Sequence, residues 1–298
     1  MKTLSAAALD VIERSVVHPD RVVLPSGQLD RKLYVEVNTA LVRIGGKWIT
    51  FAPVGGPPNC SDIDRGRRPG TLEDAGNFVK LSQFFNTVHT AGGASVDALD
   101  VHASVRHLHI TANKMRYSDK VPFIYSTGRA RLFDGLEIIR IARGVSQEQL
   151  LREPSAYTVI NTNSPRKVDK ELLSGLMEMA ENGQVVCVTP FTLAGAMSPI
   201  TIAGALALQS AEALAVLAFV QMVNPGNPMI FGGFTSNVDM KTGAPAFGTP
   251  EYVRATIIGG QIARRYKLPY RASNVNASNA VDAQATYESA MSLWACIM

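Results

Sequence analysis

From about residue 86 onward, short runs of β-branched and aromatic residues recur along the chain. They fall at about 87–96, 122–126, 157–161, 185–189, 229–234 and 268–272. Each is followed by a small-polar stretch and then by a segment whose apolar positions repeat at helical spacing. These helical segments include 135–142, 170–181, 204–222, 250–266 and 282–297. Strand starts separated by roughly 30–45 residues match the length of one βα unit. Such alternation predicts an α/β fold with a parallel sheet covered by helices. The architecture expected is a (β/α)8 TIM-type barrel with about six βα units present, in one curved sheet left open where strands seven and eight would close it. The last segment ends Trp294-Ala295-Cys296-Ile297-Met298, with no Gly, Asn or basic cap. A truncated barrel is therefore expected, with unpaired edges that favour self-association.

Residues 1–85 differ in pattern and are read as an N-terminal helical and hairpin extension, leaving 86–298 as the partial barrel. The first fifteen residues read as a short helix. Residues 40–54 alternate around Gly45–Gly46, as a hairpin does. The Gly-, Pro- and charge-rich stretch 55–70 is expected to be a loop. Thr71 then caps a helix, with Asp74 three residues on as an imperfect capping box. Phe78, Leu81, Phe84 and Phe85 supply its expected apolar stripe.

Composition narrows the function classes. The chain has 298 residues, 46% of them hydrophobic and 18% charged, a globular balance that one barrel of ~250 residues plus an extension would use in full. The net charge of +4, from 29 basic and 25 acidic residues, is scattered rather than gathered on one face, which argues against nucleic acid. Cys60, Cys187 and Cys296 share no close spacing, so neither a disulfide framework nor a structural zinc site is expected, and free thiols suit the cytoplasm. Asp10, Glu13 and Arg14 interrupt what a signal peptide would keep apolar. Residues 203–223 are long and apolar, but Gln209, Glu212 and Gln221 interrupt them. A central acid costs a bilayer helix ~3 kcal/mol, so a packed barrel helix is expected, with Glu212 accepting a hydrogen bond from a backbone or basic group.

In a barrel of this kind the chemistry sits at the C-terminal ends of the strands. Those positions hold Tyr125, Ser126 and Thr127; Asn161, Thr162, Asn163 and Ser164; Thr189, Pro190 and Phe191; Gly232 to Asn237; and Ser273, Asn274, Asn276, Ser278 and Asn279. The rim is neutral-polar and aromatic. No Lys ends a strand, which argues against a Schiff-base aldolase, and no His/Asp/Glu cluster recurs there for a hydrolytic metal. His102, His107 and His109 cluster elsewhere and read as helix-surface or interhelix groups. The glycine-rich 232–237 and 90–95 segments fit either an anion-binding turn or a close backbone approach. Phe191, Phe231, Phe234 and Tyr125 suit a pocket for a quaternary ammonium group. Phe231 and Phe234 are three apart, so one of them at most should face the cavity.

The stretches FAPVGGPPNCSDIDRGRRPGTLEDAGNFVKLSQ (51–83), RYSDKVPF (116–123), INTNSP (160–165), TPFTLAGAMSPITIAGALALQSAEALA (189–215), NPGNPMIFGGFTSNVDMKTGAPAFGTPE (224–251) and QATYESAMSLW (284–294) resemble the trimethylamine methyltransferase family. The resemblance runs from about residue 40 to the C-terminus. It implies a barrel that moves a methyl group from a methylated amine to the cobalt of a partner corrinoid protein, with no metal or cofactor held by this chain. Trimethylamine-specific members carry pyrrolysine. A chain of standard residues resembles the branch without it, whose substrates are quaternary amines such as glycine betaine. The substrate-binding residues expected are Tyr125, Asn161, Asn163, Thr189, Phe234, Asn274 and Asn276, with no catalytic side chain assigned. Rings would hold the cation. The amides of Asn161, Asn163, Asn274 and Asn276 would meet a zwitterion's carboxylate, whereas a bare cation would have Asp239 as its nearest acid. Two alternatives stay open: an inactive or binding-only truncated barrel, and a barrel enzyme of other chemistry such as a lyase. No membrane association is expected, and a homo-oligomer is possible.

Overall fold

A computed structural model of the chain describes Ile44, residues 48–278 and residues 280–298. The expected N-terminal helix, the turn at Gly45–Gly46 and Asn279 lie outside the described residues. The chain divides into two compact units. One runs to Thr158 and includes Ser174–Val185; the other comprises Val159–Leu173 and Val186–Met298.

The first unit opens on a feature that the sequence pattern did not reveal. Strands β1 (Asn59–Asp62) and β2 (Gly66–Pro69) form an antiparallel hairpin inside the stretch expected to be a loop. Polar chemistry makes this turn. The Asp62 carboxylate accepts from the amides of Asp64 (3.1 Å) and Arg65 (2.7 Å), and Gly66 takes a positive φ of 64°. Arg68 on β2 then bonds Asp62 (2.9 Å) and both oxygens of Asp74 (2.6 and 2.8 Å), holding the Asp74 carboxyl down at about 2. An alternation test for apolar residues is blind to a hairpin built on ions.

Helix α1 (Leu72–Phe84) starts at Thr71 with both reciprocal bonds of a capping box present, so the shorter Asp74 serves as well as Glu. Its buried face is not the expected aromatic stripe. Asp74, Ala75, Gly76, Val79 and Ser82 are buried, while Leu81, Phe84 and Phe85 are 51%, 76% and 47% exposed. Small residues win that face because α2 (Arg106–Tyr117) comes close: a Cβ on Gly76 would sit 3.1 Å from the Tyr117 ring. Strand β3 (Thr90–Gly92) pairs in parallel with β4 (Val121–Pro122), and Phe123 bridges Tyr157 in parallel. Helices α3 (Arg129–Arg143) and α4 (Gln147–Arg152) follow. His107 and His109 lie on α2 as expected, with His107 Nε2 2.9 Å from Asp134 on α3, whereas His102 lies in the loop before that helix and bonds Ser104.

Beyond these come β5 (Tyr157–Ile160), α5 (Lys170–Glu181) and β6 (Val185–Val188). In the second unit the strand order is β5, β6, β8 (Met229–Gly232) and β11 (Tyr270–Arg271), with β6–β8 and β8–β11 parallel. Each of the six expected strands is therefore present with helices between, but they fall in two hydrogen-bonded sheets, β3–β4 and β5–β6–β8–β11, rather than in the one curved sheet expected. No closed barrel is found among the described residues. A second sheet, β7 (Phe191–Ala194), β9 (Phe234–Val238) and β10 (Pro245–Ala246), prolongs two of these strands. Val188 faces Phe231 in the first sheet and Phe191 faces Phe234 in the next, so the register is kept across Thr189–Pro190 and Gly232–Gly233.

Helices α6 (Ile202–Val223), α7 (Pro250–Arg265) and α8 (Ala283–Ile297) complete this unit. By length and composition α6 could cross a membrane. Its buried face nevertheless carries Gln209 and Glu212, one turn apart and both hydrogen-bonded within the unit.

Candidate functional site

The strand ends of the second unit lie close together at β5 and β6. The Asn161 amide donates to the Thr189 carbonyl at 2.8 Å, and the Thr189 amide donates to the Ile160 carbonyl at 2.8 Å. Thr189 is fully buried, its hydroxyl 3.4 Å from the Cys187 thiol. The glycines opposite are explained by contact. A Cβ on Gly232 would lie 2.2 Å from the Thr189 hydroxyl, and one on Gly233 would lie 2.6 Å from Gln209 Nε2 and 2.7 Å from the Tyr270 hydroxyl. Close backbone approach thus accounts for that glycine pair.

Phe234 stands at the centre of an aromatic group. Ring centroids lie 5.2 Å away at Phe191, 5.3 Å at Phe247 and 6.1 Å at Tyr252. Phe191, Phe234 and Phe247 are partly exposed, whereas Tyr252 is buried and donates its hydroxyl to the Ser273 carbonyl at 2.6 Å. Phe231 is buried and packs near Tyr270, 6.3 Å between centroids. One of the two phenylalanines is thus accessible and the other is not, as their odd spacing requires.

Over the Phe234 ring stands a residue that the sequence pattern did not single out. The Arg271 guanidinium lies 6.0 Å from the Phe234 ring centroid. Arg271 is half-buried, and among the described residues its side chain has neither an acid nor a hydrogen-bond partner. Arg271 falls inside the run 268–272 rather than in the loop after it, where the strand-end rule places chemistry. A lone basic residue at a strand end was the signal available.

The remaining expected residues are tied to their own surroundings. Asn274 exchanges hydrogen bonds with Ser289 (2.7 and 3.1 Å), and Asn276 donates to the Ala285 carbonyl at 3.1 Å, so both fasten the β11–α8 connection to α8. Asn163 is exposed and trades backbone bonds with Lys167. The loop between them is gripped by Glu212, which accepts from the Thr162 hydroxyl, the Ser164 hydroxyl (2.7 Å) and the Arg166 amide (2.6 Å). The backbone donor expected for Glu212 is there, with two hydroxyls besides.

Tyr125 belongs to the first unit. Its ring meets Phe123 edge-on at 4.8 Å, and its hydroxyl is buried against Gly55 and Gly93. Burial pushes that phenol up to about 12. Lys114, also buried, donates to the Phe123 carbonyl at 2.6 Å, and burial pushes it down to about 7. Among the described residues no group of three His, Cys, Asp or Glu is placed to hold a metal ion.

Comparison with known proteins gives these observations a frame. The chain is 37% identical over 255 residues to a glycine betaine methyltransferase of Desulfitobacterium hafniense strain Y51, an overlap of 85% of this chain and 53% of that protein. It is 24% identical over 223 residues to a proline betaine:corrinoid methyltransferase of Eubacterium limosum, covering 72% of this chain and 46% of the other. A trimethylamine methyltransferase of Desulfitobacterium hafniense strain DSM 10664 / DCB-2 is 26% identical over 249 residues, or 82% and 49% of the two chains. The chain therefore spans about half the length of the curated relatives it matches. The trimethylamine methyltransferase (MTTB) family profile matches residues 35–298, and the chain belongs to that family.

Proposed function

We propose that the protein transfers a methyl group from a quaternary amine of the betaine class to the cobalt of a partner corrinoid protein. One observation carries the reading to this chain's own residues: three accessible rings, Phe191, Phe234 and Phe247, gathered within about one ring's width of each other at the strand ends. A trimethylammonium head cannot donate a hydrogen bond. Aromatic faces hold it instead, at ~1–2 kcal/mol each when desolvated. As the methyl group leaves, its bonding pair stays on nitrogen, and the positive charge that the rings favour disappears. The protein's part is positioning and exclusion of water.

The architecture proposed with this function is part of a (β/α)8 barrel over residues 86–298 with an extension over 1–85. Chain-order pairing within each of two sheets, β3–β4 and β5–β6–β8–β11, supports it, as does the crowding of polar groups at the strands' C-terminal ends. The corrinoid arrives on its partner as a co-substrate. Free thiols at Cys60, Cys187 and Cys296 support a cytoplasmic setting. Binding measurements test the ring cluster. Phe234→Leu should weaken glycine betaine by about 1–2 kcal/mol, as read by calorimetry. Unchanged affinity would remove the cluster from the reading.

A further inference from the structure

Arg271 is a cation in partial burial with no acid beside it among the described residues. The groups whose fields it meets are the thiols of Cys187 and Cys296 and the phenols of Tyr252 and Tyr270. Arg271 draws each of them toward ionisation, but burial prevails and holds all four above their ordinary ranges, Cys296 at about 11. At neutral pH none supplies a counter-charge. Its guanidinium instead stands 6.0 Å over the Phe234 ring, whose other neighbours are the rings of the cluster. A guanidinium fork is built for two-pronged bonding to a carboxylate, and a desolvated, unpaired one gains most from acquiring it.

We infer that Arg271 is the carboxylate anchor of the substrate site and so decides for zwitterionic betaines over bare quaternary cations. This rests on the proposed function, whose ring cluster would hold the other end of the same molecule. The division of labour differs from the one expected from sequence. The Asn161, Asn274 and Asn276 amides each spend a donor on the protein itself, while the arginine spends none.

Three ligands separate the two ends of the site: glycine betaine, choline, which lacks the carboxylate, and 3,3-dimethylbutanoate, which lacks the cation. Calorimetric titration of the 298-residue chain should show betaine bound more tightly than choline. Arg271→Gln should weaken betaine and 3,3-dimethylbutanoate about 10- to 100-fold and leave choline nearly unchanged. Arg271→Lys, which keeps the charge but not the fork, should recover part of the loss. Unchanged betaine affinity in Arg271→Gln overturns the inference, as does an equal loss of choline, which would mean a collapsed site. Should the variants fail to fold, the wild-type chain decides. Phenylglyoxal labelling of the Arg271 peptide, followed by mass spectrometry, should be blocked by betaine and 3,3-dimethylbutanoate but not by choline. Labelling indifferent to all three overturns it. Betaine and choline bound alike, both insensitive to Arg271→Gln, would sink the anchor and spare the methylamine reading. Arg271-dependent binding of 3,3-dimethylbutanoate alone would do the reverse.

Discussion

Lys114 shows what a single buried charge does to this protein. Its ammonium has the Phe123 carbonyl at 2.6 Å and the rings of Phe123 and Tyr125 at 5.6 and 5.9 Å, with no acid in contact among the described residues. A lysine in water titrates near ~10.4, whereas burial lowers this one to about 7. Below pH 7 both folded and unfolded chains carry the proton, and the folded state bears the full desolvation cost. Above pH 7 the folded chain releases its proton first, so stability rises with pH, by about 1.4 kcal/mol per unit. Cys296 and Tyr125 act in the opposite sense at higher pH, because their raised values let the unfolded chain ionise first. Comparison with Lys114→Met isolates the lysine. Between pH 7 and pH 9 the wild type should gain about 2–3 kcal/mol of unfolding free energy relative to that variant; parallel curves would contradict the assignment. At this scale the sequence was informative where chemistry clashed with context. Glu212 stood out as an acid in an apolar run. Arg271 and Lys114 did not, because a basic residue in a short strand or an ordinary helix violates no pattern that can be counted along the chain.

Among the elements, α6 does more than cover the sheet. Gln209 accepts from Thr235, which in turn bonds Thr192, and Glu212 one turn on grips the loop after β5. A helix whose composition is apolar all round thus holds the segments around two strand ends through two polar side chains. Removing Glu212 strands two hydroxyls and an amide that have no other acceptor among the described residues. Glu212→Ala should lower stability by about 2–3 kcal/mol in urea unfolding, and residues 162–167 should become the first site of limited proteolysis. Glu212→Gln should cost less, since it keeps one acceptor oxygen. Equal stability of Glu212→Ala and wild type would mean that the loop holds itself. Element existence was readable for the six strands and for α1, α3 and α5 to α8, where β-branched runs, a cap or helical spacing mark the segment. The β1–β2 hairpin and the buried face of α1 were not readable. One is stabilised by the Arg68–Asp62–Asp74 ions, and the other is chosen by the approach of Tyr117 to Gly76, a tertiary fact with no trace in local pattern.

At the scale of the whole molecule, each sheet by itself keeps its strands in chain order, which is why a repeat of strand and helix sufficed to foresee the parallel pairing. The division into two units was invisible in the sequence, since its boundaries fall within β5, α5 and β6 rather than at a linker. Membership of the trimethylamine methyltransferase family and the ring cluster around Phe234 together carry the functional account. Its most direct test is turnover by the 298-residue chain, mixed with cob(I)alamin and either glycine betaine or trimethylamine under reducing conditions. The account predicts that glycine betaine is converted to dimethylglycine in step with methylation of the cobalamin, with trimethylamine a poorer donor. Methylation from trimethylamine alone, or none from either donor while the folded chain binds glycine betaine, would contradict it.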